Sequence, residues 1–254
     1  MPKFAANLTF LFTELPFMER FSAAKEAGFD AVEVLFPYEF SAQEMRHELV
    51  RHDLTFVLMN VPPPNWAGGD RGFAAVPGLE ARFRRDFDRA MRFADVFKPR
   101  HIHIMAGKAQ GAVARQTYID NLTWAAARAP KRSLTIEPIN PIDMPDYFLN
   151  DFDLAAEILD EVGAPNLHLQ FDAYHAHILT EDVAATWKTH RARVAHVQFA
   201  DAPGRGAPGS GEIDLSAFFA TLDADGYSGF ATAEYKPATD TRHSLDWLPA
   251  QGAD

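Results

Sequence analysis

One pattern repeats eight times along the chain: a short run of apolar and β-branched residues is followed by a longer amphipathic stretch. The short runs predict strands at 3–8, 30–35, 54–60, 101–106, 133–137, 167–172, 194–199 and 229–234. The longer stretches predict helices at 16–27, 41–52, 79–97, 112–129, 150–162, 181–190 and 214–224, with a weaker one at 241–248. Strands that alternate with helices form a parallel sheet. Eight such units in 254 residues match the size of a (β/α)8 barrel.

Local signals agree with these elements. Ser41 followed by Glu44 is a capping box, and Asp151 precedes an apolar helical stripe. Gly28 and Gly163 lie where helices should end. The main alternative is an open doubly wound sheet, but no Gly-x-Gly-x-x-Gly follows the first strand. We therefore expect a single (β/α)8 TIM barrel over residues 1–254, with functional residues at the carboxyl ends of its strands.

Composition excludes several classes of protein. The chain has 24 Lys and Arg against 35 Asp and Glu, a net charge of −11, which argues against nucleic acid as a partner. Without cysteine it can form neither disulfides nor thiolate metal sites. No apolar run reaches the ~18 residues of a membrane span, and the first residues do not resemble a secretory signal. We expect a cytoplasmic protein with no membrane partner.

Oxygen-bearing side chains end four consecutive predicted strands: Glu137, Asp172, Gln198 and Glu234. Side chains two apart on a strand share a face. The same face therefore carries other polar residues, which are Thr135, His168, Gln170, His196 and Thr232. The residues between them, Ile136, Leu169, Phe171, Val197 and Ala233, should face the helices. This polar interior is the reverse of what a purely structural strand needs.

Three carboxylates cannot lie close together without a cation or large pKa shifts. Three carboxylates and one amide suit Mg²⁺ or Mn²⁺ better than Zn²⁺. Two carboxylates on opposite sides of a substrate could also exchange protons with it. This combination is typical of proton transfer next to a carbonyl group.

These residues belong to segments that resemble the hydroxypyruvate isomerase family. The segments are 136–145, 171–175, 196–205, 208–213 and 233–237, and the resemblance extends along essentially the whole chain from Phe4. It implies the xylose-isomerase-like barrel that ketose 3-epimerases and the endonuclease IV group share.

The resemblance also implies roles for individual residues. Glu137 and Glu234 would be the acid/base pair, and they would hold a divalent metal together with Asp172 and Gln198. His175 and Arg205 match substrate-binding residues of the related epimerases, and the Arg205 fork suits a substrate carboxylate. The epimerases have a His where this chain has Gln198, so the metal, Mg²⁺ or Mn²⁺, could be bound weakly or be dispensable.

Further residues have two interpretations each. His103 and Lys108 could bind substrate, or be a packed histidine and a solvated lysine. Glu33 could support the site from behind or contact substrate directly. The Gly-rich loop 203–211 either cradles phosphate or brings Arg205 and Glu212 inward. The loop 61–72 is long, and its Trp66 could cover the site as part of a lid.

The favoured function is the interconversion of hydroxypyruvate and tartronate semialdehyde through an enediolate. The alternatives within this chemistry are isomerisation of a four-carbon 2-oxo-tetronate and 3-epimerisation of a ketose. An endonuclease on damaged DNA and a non-catalytic sugar-binding barrel are less favoured. The expected partner is a small hydroxy-oxo acid or short sugar acid, and homo-oligomerisation stays open.

Overall fold

The computed structural model describes residues 2–64, 69 and 71–249. Nine parallel strands form one sheet in the order β3-β2-β1-β9-β8-β7-β6-β5-β4. The strands are β1 (Lys3–Asn7), β2 (Ala31–Glu33), β3 (Thr55–Phe56), β4 (Leu58–Asn60), β5 (His101–His103), β6 (Ser133–Ile136), β7 (Leu167–Asp172), β8 (Val194–Phe199) and β9 (Phe230–Ala233). The predicted (β/α)8 barrel and its strand positions are confirmed.

The ring closes through one residue. β3 and β4 are the two halves of the predicted strand 54–60, separated at Val57. The Val57 N–H donates to Val32 O of β2, and the Val57 carbonyl accepts from His101 N of β5, each at 2.8 Å. The strand is divided because its hydrogen bonds change here from one neighbour to the other.

Helices surround this ring. They are α1 (Glu19–Glu26), α2 (Ala42–Arg51), α3 (Glu80–Phe97), α4 (Gly111–Arg128), α5 (Phe152–Val162), α6 (Ala173–Thr180), α7 (Val183–His190) and α8 (Leu215–Ala224). The predicted ends are confirmed where caps were identified. Ser41 Oγ accepts from Glu44 N, Asp151 Oδ1 accepts from Leu154 N, and α5 stops at Gly163, whose φ of 59° is left-handed. Within the described residues, no helix combines the length and hydrophobicity needed to cross a bilayer.

Two elements differ from the sequence prediction. The helix α6 was not predicted, and it starts directly after β7 because the Asp172 side chain caps it by accepting from Tyr174 N. The stretch 241–248 is not an α-helix but a 3-10 turn at Thr241–Ser244. Trp247 follows this turn and packs on Phe4 and Phe199, with ring centroids 5.2 and 5.1 Å apart. Its indole covers the part of the barrel wall that the predicted helix at 241–248 would have covered.

The two faces of the strands behave as predicted. Phe171 of β7 points outward, and its ring contacts Phe152 of α5, Trp187 of α7 and Phe218 of α8. On the inner face, Thr135 Oγ1 donates to Gln170 Oε1 at 3.0 Å. The larger apolar core therefore lies between strands and helices. The inner face carries the polar layer together with a smaller apolar cluster that includes Ala5, Ala31, Leu58 and Phe230.

Candidate active site

A cavity of about 350 Å³ opens at the carboxyl ends of the strands. Six of the residues predicted to form the site line it: His103, Lys108, Glu137, His175, Arg205 and Glu234. Two others lie below its surface, since Asp172 is 0% and Gln198 1% exposed. Trp66, which was predicted to cover the site, lies outside the described residues. Strands far apart in sequence therefore bring the predicted residues to one place.

Arg205 connects two of the buried carboxylates, those of Asp172 and Glu234. Its guanidinium lies between the rings of Phe10 and Tyr174, 5.2 and 5.0 Å from their centroids. Nη2 donates to Asp172 Oδ2 at 3.0 Å and also to the Glu234 carboxylate, while Nε donates to the Glu234 carbonyl. The guanidinium thus supplies the positive charge that these carboxylates require.

Burial raises the pKa of three carboxyl groups in the site, those of Glu137, Asp172 and Glu234. Burial, followed by the charges of Asp172 and Glu234, raises the pKa of Glu137 well above its usual value. Burial also raises the pKa of Asp172 and of Glu234 to about 7, although Arg205 counteracts it at both. Burial would lower the pKa of Arg205, but the surrounding carboxylates outweigh it and raise that pKa. The cluster can therefore hold and release protons near neutral pH.

These shifts predict that the metal-free protein loses stability as pH rises from about 6.5 to 8.5. At the start of this range the unfolded carboxyls are already ionised, whereas Glu137, Asp172, Glu234 and Glu33 still hold protons in the folded state because burial raises their pKa. Asp172, Glu234 and Glu33, whose pKa is about 7, release these protons as the pH rises. The folded state then binds more protons, so the free energy of unfolding falls with pH. We expect a loss on the order of 2 kcal/mol.

Urea unfolding in a chelating buffer measures this loss. Below about pH 6.5 the trend should flatten, because burial lowers the pKa of His101, His103 and His196 to about 3 and their effect has the opposite sign. Glu137→Gln should be more stable than the parent protein at pH 8.5. A stability that stays constant or rises over this range would show that the carboxyls are ionised in the folded state.

Asn140 fixes the hydrogen-bonding role of His175. Asn140 Oδ1 accepts from the backbone N–H groups of Ile142 and Asp143, so its amide nitrogen points at His175 Nδ1, 2.7 Å away. Nδ1 is then an acceptor and Nε2 carries the hydrogen. Burial lowers the pKa of His175 well below its usual value, which keeps the ring neutral. His175 therefore presents an N–H donor, which suits a substrate oxygen.

Three neighbouring side chains of the site fit a divalent cation in part. Glu137, Asp172 and His175 each have a potential ligand atom within 4.8 Å of the others. The two carboxylates are suitable ligands for Mg²⁺ or Mn²⁺. His175 is less suitable as a ligand, because its Nε2 carries a hydrogen and so has no lone pair to offer a metal ion. Glu137 and Asp172 are therefore the residues best placed to hold such a cation. Glu234, the other predicted carboxylate ligand, is not part of this group, and its carboxylate accepts instead from Arg205.

Gln198 presents its nitrogen rather than its oxygen to the carboxylates. Its Nε2 donates to Glu33 Oε1 at 2.6 Å and to Glu234, while its Oε1 accepts from Gln170 Nε2 at 2.6 Å. Asn7 Nδ2 likewise donates to Glu33 and Glu234, at 2.7 and 2.9 Å. Gln198 would have to turn its amide to bind a metal, so its role as a ligand stays a prediction. Glu33, 0% exposed, supports Glu234 from below.

Asp201 organises the loop that carries Arg205. Its Oδ1 accepts from the N–H groups of Ala202 and Ile213, and its Oδ2 from those of Gly209 and Gly211, all at 2.8–3.0 Å. These N–H groups are therefore unavailable to a phosphate. The expected inward position of Glu212 is wrong, because its side chain is 74% exposed. It lies outside because the loop is folded around the carboxylate of Asp201.

Asp143 and Asn60 are among the cavity-lining residues that sequence reasoning missed. Asp143 Oδ2 lies 3.4 Å from Arg205 Nη1, and its Oδ1 accepts from the Tyr174 hydroxyl at 3.2 Å. Asn60 ends β4 and is 2% exposed. The rule that identified four polar strand ends applies equally to Asn60, which follows the apolar run 56–59. Asp143 offered no such signal because it lies in a loop.

Comparisons with known proteins identify the family of this chain. Residues 21–251 match the family described as xylose isomerase-like TIM barrel. The 2-oxo-tetronate isomerase of Cupriavidus necator is 46% identical, with 98% of each chain covered. The hydroxypyruvate isomerase of Escherichia coli is 36% identical, again with 98% of each covered.

Solved structures show the same fold. A protein from Brucella melitensis described as an AP endonuclease of family 2 is 40% identical, with a TM-score of 0.94 over 97% of this chain and 98% of that one. A 3-keto-D-glucoside 4-epimerase from E. coli has a TM-score of 0.79 at 21% identity, over 98% of this chain and 99% of that one, and so shows the fold alone. The relatives from Cupriavidus necator and Escherichia coli, which match along nearly the whole chain, are both named as isomerases. The chain therefore belongs to the hydroxypyruvate isomerase family of xylose isomerase-like TIM barrels, and it is an enzyme of the isomerase class.

Proposed function

We propose that this enzyme shifts a carbonyl group between adjacent carbons of a short hydroxy-oxo acid. Two substrates suit it equally: hydroxypyruvate, which would form tartronate semialdehyde, and a four-carbon 2-oxo-tetronate. The observation that supports the proposal is a pair of buried carboxyls, Glu137 and Glu234, that line one cavity and have raised pKa values.

The reaction needs two proton transfers at carbon. In hydroxypyruvate one carboxylate removes a proton from C3, which leaves an enediolate. The other carboxyl delivers a proton to C2, and the hydroxyl proton passes from the oxygen on C3 to the oxygen on C2. No electrons enter or leave the site, so two carboxyls in opposite protonation states suffice.

Their surroundings favour different protonation states. The Glu234 carboxylate accepts hydrogen bonds from Arg205, Gln198 and Asn7, all of which stabilise its ionised form. Burial and two neighbouring carboxylates act on Glu137, whose pKa is raised well above that of an ordinary glutamate. We infer that Glu234 is the resting base and Glu137 the resting acid.

Arg205 and His175 would bind the substrate's oxygens. Arg205 Nη1 lies 3.4 Å from His175 Nε2, so two N–H donors face one point. Donors that face each other are best satisfied by an oxygen anion between them, which a substrate carboxylate provides. Lys108 lies exposed at the rim and adds positive charge there.

Mg²⁺ or Mn²⁺ held by Asp172, and by Glu137 once it has given up its proton, would polarise the substrate's carbonyl and neutralise the developing enediolate. Arg205 already supplies one positive charge to the site, and its contacts with Asp172 and Glu234 neutralise part of their negative charge. We therefore propose that the metal increases the rate without being essential for binding.

Proton NMR in D₂O tests this function. Hydroxypyruvate and 2-oxo-tetronate are incubated separately with the enzyme, with Mg²⁺ and with a chelator. We expect a new isomer and deuterium at the reacting carbons for at least one substrate. Neither isomer nor exchange under any condition would overturn the proposal.

The structure offers little support for an endonuclease. Within the described residues, one group of three carboxylate and His side chains has the spacing of a metal site. A trinuclear zinc site needs many more ligands, and a net charge of −11 opposes DNA binding.

Asp201→Ala should weaken substrate binding although Asp201 does not line the cavity. The change leaves four backbone N–H groups without their acceptor, and hydrogen bonds to charged groups contribute about 1.5–3 kcal/mol each. The Arg205 loop should lose its shape, so we expect KM to rise about tenfold or more with a smaller change in kcat. Steady-state kinetics measures both constants.

Asp182→Ala is the matched control, because Asp182 caps α7 by accepting from Ala185 N and does not line the cavity. It should lower the melting temperature without raising KM. An unchanged KM in Asp201→Ala would mean that the loop keeps Arg205 in place by other contacts.

A further inference from the structure

Two side chains that line the active-site cavity each carry an unsatisfied polar atom. Among the described buried side chains, six N or O atoms have no hydrogen-bond partner, and two of these belong to cavity-lining residues: Asn60 Oδ1 and His103 Nε2. Leaving such an atom unpaired costs about 1–3 kcal/mol. Two in one cavity indicate that a ligand completes them.

The two side chains are neighbours. Asn60 ends β4 and His103 ends β5, and they are register partners in this parallel pair, so both project from the same face. The backbone of Asn60 is fixed because its carbonyl accepts from the Tyr38 hydroxyl and its N–H donates to Leu35 O. The other ring nitrogen of His103, Nδ1, lies 3.7 Å from Glu137 Oε2, too far for a hydrogen bond, so the ring hydrogen is free to lie on Nε2.

Asn60 lies opposite Arg205 in the ring, and His103 lies one position nearer to it. If β3 and β4 are counted as one position, Asn60 ends the third strand and Arg205 follows the seventh, β8. Third and seventh positions are four apart in a ring of eight. An acid whose carboxylate lies at Arg205 would therefore direct its other end towards Asn60 and His103, with the reacting carbons between them.

A single hydroxyl group can form a hydrogen bond with each of these two atoms. It can donate to Asn60 Oδ1 and at the same time accept from His103 Nε2–H, whereas a carboxylate has no hydrogen to donate. In hydroxypyruvate both oxygens outside the carboxylate belong to the reacting carbons, so none remains for this position. A four-carbon acid carries one more hydroxyl, on C4.

We propose that Asn60 and His103 form a hydroxyl-binding subsite that recognises C4–OH and makes a four-carbon sugar acid the preferred substrate. This inference rests on the proposed function and decides between its two substrates. Sites built to bind a substrate hydroxyl reject analogues that lack it, because the buried polar groups then stay unpaired.

The test compares kcat/KM for 2-oxo-tetronate and hydroxypyruvate in the parent enzyme and in Asn60→Leu and His103→Leu. Leucine removes the polar atoms at similar volume. We expect the parent enzyme to prefer the four-carbon acid, and each variant to lose about 10- to 100-fold on it but less than about threefold on hydroxypyruvate. His103→Gln, which keeps an N–H donor, should recover part of the loss.

Asn121→Leu is the matched control. Asn121 is also a buried asparagine with an unpaired Oδ1, but it lies on α4 and does not line the cavity. It should leave the ratio of the two kcat/KM values unchanged. Because each variant is judged by a ratio within one preparation, a partly unfolded sample does not mimic the effect.

The outcomes separate the two proposals. If the parent enzyme isomerises neither acid, the proposed function is wrong and the subsite falls with it. If the parent is active but both variants lose equally on both acids, or if hydroxypyruvate is preferred, the function stands and the hydroxyl subsite is wrong.

Discussion

Glu137→Gln and Glu234→Gln should each lower kcat about 10²–10⁴-fold, the usual contribution of a general acid or base. Glutamine keeps the size and one oxygen but cannot carry a proton at neutral pH. Glu137→Gln should still fold. Glu137 is 5% exposed, and a neutral amide at this position avoids the cost of burying a charge. Initial rates by proton NMR measure the loss.

The two variants should differ in D₂O. Because Arg205, Gln198 and Asn7 stabilise the ionised Glu234, we expect Glu234→Gln to lose both turnover and exchange of the carbon-bound proton. Glu137→Gln lacks the proton donor, so it should still exchange that proton without forming product. The reverse pattern would exchange the two roles while leaving the two-carboxylate mechanism in place.

Glu212→Gln is a suitable control, because this exposed glutamate lies on the loop of Arg205 but outside the cavity. It should retain the parent rate. If Glu137→Gln and Glu234→Gln both lost less than about tenfold, the mechanism would be wrong, and His175 would be the next base to test.

Arg205→Lys should weaken substrate binding more than conservation of charge suggests. The guanidinium contacts Asp172, the Glu234 carboxylate and the Glu234 carbonyl while lying between two aromatic rings. An ammonium is a point charge and cannot copy this planar fork. We expect KM to rise about 10- to 100-fold, as for the loss of a hydrogen bond to a charged group.

The same variant should be less stable, because removing a partner from a buried ion pair typically costs about 3–5 kcal/mol and lysine restores only part of the contact. Thermal unfolding measures this loss. Arg191→Lys is the control, since Arg191 pairs with Asp225 at the surface and does not line the cavity. Unchanged kinetics in Arg205→Lys would remove Arg205 from substrate binding.

The sequence alone determined the barrel, the inner and outer faces of its strands and several helix ends. These features depend on short-range rules, because strand faces alternate every two residues and a cap acts over three. Asp172, Glu137 and Glu234 could be placed at one rim for the same reason. Asn60 obeyed the same rule, and applying it to the third strand would have found it.

Only the tertiary structure decided how these groups face one another. Asn7 contacts Glu234 across 227 residues of sequence and Gln198 contacts Glu33 across 165, and these contacts orient the amide of Gln198. Asp201 turns Arg205 inward and leaves Glu212 outside. The orientation of an amide or a guanidinium depends on whichever donors and acceptors the closed barrel brings within about 3 Å. No local pattern records those distances, because they arise only when strands distant in the chain close into one ring.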